Sequence, residues 1–193
     1  MIDLKLESER LLIRPFQLGD EEAMYVLNSN PLVQKYTGDT MINSVEEAKS
    51  LLENRVLKDY QDHGYGRLAV IYKPDNKLIG FTGLKYLPET GGDTDLGYRF
   101  LPKYWGKGIA TESSIMSLKY GFEDLNLEKI IGFTEIENIA STRVLIKMGF
   151  KIIKIDYYPR EENEVGKNPI NWLELTKEEY LNNKMSPRAQ SRG

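Results

Sequence analysis

Cysteine is absent from the 193 residues, histidine occurs once and tryptophan twice. Without cysteine there is no disulfide framework and no thiol nucleophile, a pattern compatible with a cytoplasmic protein. No run of about 18 or more apolar residues occurs, so no membrane-spanning segment is expected. The first residues carry acids at Asp3, Glu7 and Glu9 and lack the apolar core of a signal peptide. No long basic block is present and the formal net charge is −3, which argues against a nucleic-acid partner. His63, the lone histidine, falls at the end of a helical pattern, where a cation beside a helix C-terminus is sufficient structural reason for it.

What remains is an ordinary soluble composition, 40% hydrophobic and 28% charged, on a chain long enough for one buried core. We expect one domain over residues 1–184 and a disordered tail over residues 185–193, where Ser, Pro, Arg, Gln and Gly dominate. Apolar alternation predicts one or two strands over Leu4, Leu6 and Arg10–Phe16, then strands at Leu68–Tyr72, Leu78–Leu84, Thr94–Leu101, Lys129–Thr134, Phe150–Tyr158 and Ile170–Thr176. Helices are expected after Asp20 and Ser44, each read as an N-cap, the latter with Glu47 in capping-box spacing. Asn30-Pro31 is read as the end of the first helix and the start of an irregular link.

The most informative stretch runs from Pro102 to Glu112, Pro-Lys-Tyr-Trp-Gly-Lys-Gly-Ile-Ala-Thr-Glu. It joins the Thr94 strand to a helix carrying Ile115, Leu118 and Phe122, with Glu112 in the first turn as a helix-stabilising acid. Two glycines at a helix N-terminus let backbone N–H groups approach an anion closely, and a pyrophosphate is the natural occupant. A tight turn entering a helix is the structural alternative. Spacing excludes two familiar phosphate loops. A Walker loop requires Ser or Thr after Gly-Lys, but Gly108 follows Lys107; a dinucleotide fingerprint requires Gly or Ala where Thr111 stands.

A second marker is Asn138-Ile-Ala-Ser141, which opens a short amphipathic helix ending in Lys147-Met-Gly-Phe150. Together the two segments resemble the GNAT superfamily of acyl-CoA N-acetyltransferases: Gly108 and Ala110 match its Gln/Arg-x-x-Gly-x-Gly/Ala loop, with Trp105 in place of the Gln or Arg. The Arg10–Pro15 opening and the Trp-Gly-Lys-Gly-Ile-Ala-Thr-Glu form look like the ribosomal-protein-alanine (Rim-type) branch. The resemblance implies an α+β fold: a mixed, mostly antiparallel sheet of about six or seven strands, splayed between the fourth and fifth, with flanking helices.

The resemblance also implies acetyl-CoA as cosubstrate, with no metal, and transfer to a primary amine by direct attack in a ternary complex. The acceptor is then a peptide N-terminus or a small molecule, and the protein a monomer or homodimer with no membrane partner. A non-catalytic acyl-CoA sensor is the alternative. By the same resemblance Phe100 and Leu101 meet the pantetheine arm, the main chain of Trp105, Gly106, Lys107, Gly108, Ile109, Ala110 and Thr111 holds the pyrophosphate, and Asn138 bonds the pantetheine. Asn138 is equally a good N-cap. The tyrosine acid of many relatives corresponds to Leu145, so Ser141, one turn earlier, is the nearest hydroxyl candidate; it is equally an N3 residue. Asp95 and Glu135 are candidate bases, each with a solvent-facing strand carboxylate as the structural alternative.

Overall fold

The computed structural model describes residues 2–159 and 165–185. One sheet of eight strands has the order β1-β2-β3-β4-β5-β6-β8-β7 and is mostly antiparallel, with a parallel β5–β6 pairing registered at Asp95 opposite Ile131. The strands are β1 (Leu6–Glu7), β2 (Leu11–Pro15), β3 (Arg67–Tyr72), β4 (Lys77–Leu87), β5 (Asp93–Phe100), β6 (Lys129–Glu135), β7 (Lys151–Pro159) and β8 (Val165–Thr176). The eighth strand is the two-residue β1, at the end of the Leu4–Leu6 alternation, so the two-segment reading of the first stretch holds. Contacts divide the chain into two compact units: residues 1–86 with 96–117, and residues 87–95 with 118–193.

In the first unit β2 alternates as expected, with Leu11 and Ile13 fully buried. They join Leu68, Val70, Ile79, Phe100, Tyr104 and Ile109 in one core cluster. The opposite face of the sheet packs Ala69 and Phe16 against Met24 of α1 (Glu21–Asn28) and Ala48 of α3 (Val45–Leu51). Truncating a buried aliphatic such as Ile79 to alanine would cost roughly 2–5 kcal/mol. β4 runs so close to β5 that a Cβ on Gly80 would lie 2.0 Å from the Arg99 carbonyl oxygen. Only glycine fits there, and Leu101 N–H closes the strand end by donating to Ile79 O at 3.0 Å.

Two local expectations, at Asp20 and at Asn30-Pro31, are corrected. Asp20 precedes α1 but makes no side-chain cap. Its carboxylate is taken by Arg14 at 2.7 and 2.8 Å and by Gln17 N–H at 3.0 Å, because a bidentate charged partner outcompetes a helix-end amide. Asn30-Pro31 opens a short helix, α2 (Pro31–Gln34), with Asn30 Oδ1 accepting from Leu32 N–H at 3.0 Å; proline suits a first helical turn. The helix after Ser44 continues from α3 through a π-helical stretch, Leu52–Val56, into α4 (Leu57–His63), which ends at Gly64. Ser44 caps as expected, accepting from Glu47 N–H at 3.2 Å. Tyr60 of α4 accepts from Phe16 N–H at 3.0 Å and donates to the Arg67 carbonyl, and burial pushes its phenol up.

In the second unit β6 and β7 both pair with β8 in antiparallel register, and α6 (Ile139–Lys147) lays Leu145 over Gly132, where a Cβ would lie 2.9 Å from the leucine. α7 (Lys177–Met185) was not foreseen, although Thr176-x-x-Glu179 carries its signature. Thr176 Oγ1 accepts from Glu179 N–H at 3.3 Å, and Glu179 Oε2 accepts from Thr176 N–H at 3.0 Å, a reciprocal cap. Met185, the first residue of the expected tail, is the last of α7; residues 160–164 and 186–193 lie outside the described residues. Among the described residues no helix is long and apolar enough to cross a membrane.

Candidate active site

The glycine loop belongs to the first unit. A single turn, Pro102–Tyr104, follows β5, and Trp105 to Gly108 are exposed before α5 (Ile109–Lys119) begins. Gly106 and Gly108 both take the left-handed conformation, at φ +72° and +77°. A Cβ on Gly106 would meet nothing within 4 Å, and one on Gly108 would meet only Arg10 Nη2 at 3.9 Å. The space in front of both glycines is therefore open. Gly108 caps α5 with its carbonyl, accepting from Glu112 N–H at 3.0 Å. The earlier amides of that turn have no acceptor inside the helix, so the fit to a diphosphate is good.

Arg10 braces this loop from 102 residues away in sequence. Its Nε donates to Glu112 Oε2 at 2.9 Å, Nη2 donates to the same carboxylate, and Nη1 donates to Lys107 O at 3.1 Å. Ser8 Oγ donates to the other Glu112 oxygen at 2.5 Å. Holding the Lys107 carbonyl has a consequence, because the C=O and N–H of one trans peptide point in opposite directions. The Gly108 N–H is thereby fixed facing away from Arg10. Glu112 is structural, as expected, and Arg10 offsets the charge this carboxylate would place beside an anion.

Trp105, in place of the family's Gln or Arg, turns its indole back on the strand end: its Nε1–H donates to Phe100 O at 2.7 Å. Leu101 O accepts from Tyr104 N–H at 2.9 Å. Each of these carbonyls keeps a second lone pair for a ligand amide. Tyr104, the tyrosine of the loop motif, donates its hydroxyl to Asp75 Oδ2 at 2.6 Å, a bond that pushes the phenol up to about 12. It is committed to the fold. Lys107 Nζ lies 5.5 Å from the Tyr104 ring centre. His63 is exposed in the last turn of α4 with its ring 4.6 Å from Tyr86, in keeping with a structural role.

The remaining candidates belong to the second unit. Asn138 is the N-cap of α6, its Oδ1 accepting from Ser141 N–H at 3.2 Å, so the side-chain amide keeps its donor end. Ser141 is half-buried at N3. Leu145 is 1% exposed against Gly132, so the position to which the resemblance assigned a tyrosine holds a core side chain. Asp95 is 2% exposed, not the solvent-facing carboxylate that the structural alternative assumed. Glu135 ends β6, half-buried, and its carbonyl accepts from Asn138 N–H at 2.9 Å.

Sequence reasoning missed an aromatic cluster on β6, β7 and β8. The Phe133 ring lies 4.7 Å from Tyr158 and 5.8 Å from Trp172, and the Tyr158 and Trp172 rings stack at 5.9 Å. Lys154 Nζ sits 5.1 Å from the Trp172 ring centre, and Tyr158 donates its hydroxyl to Glu89 at 2.5 Å. Only the register of three strands brings these residues together, although each occupies an alternating position that hinted at a shared face.

The eight-stranded mixed sheet with its flanking helices is the fold of acetyltransferases of known structure. The model of the acetyltransferase (GNAT) domain matches residues 10–151, and the chain belongs to that family. It is an acetyl-CoA-dependent N-acetyltransferase. Among its relatives is the uncharacterized N-acetyltransferase YnaD of Bacillus subtilis, 34% identical over 149 residues, which cover 77% of this chain and 83% of YnaD. A GNAT-family acetyltransferase from Bacillus anthracis superposes with a TM-score of 0.74 at 29% identity, covering 91% of this chain and all of that one. The spermidine N-acetyltransferase of Vibrio cholerae, solved with CoA and spermine, has the same fold at 23% identity and a TM-score of 0.72, covering 90% of this chain and 99% of its own.

Proposed function

We propose that the chain, taken as one domain over residues 1–184, transfers the acetyl group of acetyl-CoA to a primary amine by direct attack in a ternary complex. The observation that carries this reading is the open cradle of Gly106 and Gly108 at the start of α5, with the Lys107 carbonyl turned aside by Arg10. Such a cradle suits the CoA diphosphate, held by the main chain from Trp105 to Thr111. Phe100, Leu101 and Asn138 are proposed partners of the pantetheine arm.

In the reaction the amine nitrogen forms a bond to the acetyl carbon, and the carbon–sulfur bond breaks. Two protons leave the nitrogen and one returns to the thiolate. Asp95 and Glu135 are the proposed proton acceptors, and Asp95 is favoured because its burial keeps bulk water from competing for the ammonium. The proton for sulfur is assigned to Ser141 or to a water it orders, since Leu145 has no proton to give.

The finer question is the acceptor. The Rim-type resemblance points to a peptide N-terminus, whereas the Vibrio cholerae neighbour was solved with spermine. Incubation with acetyl-CoA and either Ala- or Ser-starting peptides or aliphatic amines, with free CoA measured, tests the reading. Turnover with one group supports it. Tight acetyl-CoA binding with no turnover on any amine would replace it with the sensor alternative.

A further inference from the structure

The face of the sheet that carries Trp172 has a composition its packing does not require. Residues opposite one another in a ladder share a face, as do alternate residues of one strand. Phe133 and Lys154 both lie opposite Trp172, and Asp95 lies opposite Ile131, two residues before Phe133. Asp95, Phe133, Glu135, Lys154 and Trp172 therefore occupy one face. α6 covers the other, with Leu145 on Gly132. From Asp95 to Phe133 is one strand spacing and two residues, roughly 8 Å between Cα atoms.

The cluster is a core that opens at one edge. Trp172 is 6% exposed beneath Lys154, whereas Phe133 and Tyr158 are half-buried and the Lys154 side chain is 53% exposed. Lys154 lays an alkylammonium over the Trp172 ring and is tethered to Asp156 at 3.0 Å. Aromatic faces attract cations through their quadrupole, and methylene stems pack on the same rings. This face thus already holds the chemical group that an aliphatic amine would bring.

Resting on the acetyltransferase reading, we propose that this face is the acceptor platform and that the acceptor is an aliphatic amine. Its methylene stem lies across Phe133 and Trp172, and its ammonium is directed toward Asp95. Lys154 is an internal competitor for the Trp172 ring. A peptide N-terminus fits less well, because its backbone amides need hydrogen-bond partners that ring faces do not supply.

The test uses the whole chain, saturating acetyl-CoA, and cadaverine, spermidine or an Ala-starting peptide as acceptor. Lys154→Ala removes the competitor, and the KM for cadaverine should fall about two- to fivefold, the size of one exposed cation–π contact. Phe133→Leu should raise it about fivefold. The KM for acetyl-CoA should not move in either variant, and circular dichroism checks the fold of the second. Cadaverine and spermidine turnover with these opposite shifts supports the platform. Amine turnover with a KM indifferent to both variants, or preference for the peptide, overturns the platform and leaves the acetyltransferase reading standing. No turnover with any acceptor contradicts both.

Discussion

Replacing Gly108 by valine separates the cofactor role of the loop from its part in the fold. Gly108 sits at φ +77°, where an L-residue is strained by roughly 1–2 kcal/mol, rather more when β-branched. Its Cβ would meet only Arg10 Nη2, at 3.9 Å, so no clash adds to that strain. At about 2–4 °C per kcal/mol for a chain of this size, an unbranched residue would lower the Tm by about 2–8 °C, and valine should reach or exceed the upper end of that range. Gly64, at the end of α4, has the same φ of +77° and nothing within 4 Å of its Cβ, which makes Gly64→Val a matched control. Its Tm should fall comparably. The two variants should part company on acetyl-CoA. A side chain at Gly108 stands between the amides and the diphosphate, and losing one or more bonds to a charged group weakens binding about ten- to a hundredfold. Gly64→Val should bind like the wild type. Differential scanning calorimetry and isothermal titration read the two quantities. A folded Gly108→Val with wild-type Kd, or equal loss in both variants, would refute the assignment of the loop.

Two further outcomes are expected. Ser141→Ala should lower kcat about tenfold or more while leaving acetyl-CoA affinity unchanged, when a single-turnover measurement shows that chemistry limits the rate; a wild-type kcat removes its proton-donor role. Glu179 accepts from Lys151 and from both the N–H and the hydroxyl of Thr176, with Lys151 the largest cause, and its pKa falls to about 2 from the ordinary 4.5. A depressed carboxylate contributes stability above its unfolded pKa and loses it as pH falls toward the folded value. The Tm advantage of the wild type over Glu179→Gln should therefore be full above about pH 4.5 and gone near pH 2; a pH-independent gap contradicts it.

What could be read from the sequence was whatever depends on near neighbours. The glycine loop, the Asn138 cap and the Ser44 cap each lie within a few residues, and their patterns survive in one dimension. Asp20 shows how that logic fails: its capping pattern was sound, but Arg14, six residues away, took the carboxylate. The brace on the loop was hidden because Arg10 and Glu112 are 102 residues apart, and either alone reads as an ordinary surface charge. Phe133, Lys154 and Trp172 meet only through strand register, with a bulge between Ile152 and Lys154 that alternation could not foretell. Asp95 was recognised as a candidate, but its burial depends on what packs over the strand, which periodicity does not encode.

The most direct test of the central claim is a mass-balanced turnover measurement. The protein is incubated with acetyl-CoA and, in separate reactions, cadaverine, spermidine and an Ala-starting peptide, and free CoA and acetylated amine are quantified together by mass spectrometry. The account predicts CoA and acetyl-amine in equal amounts in at least one reaction, with both lost in parallel on Gly108→Val. Acetyl-CoA binding with no acetylated product, or CoA release unmatched by an acetylated amine, would contradict it.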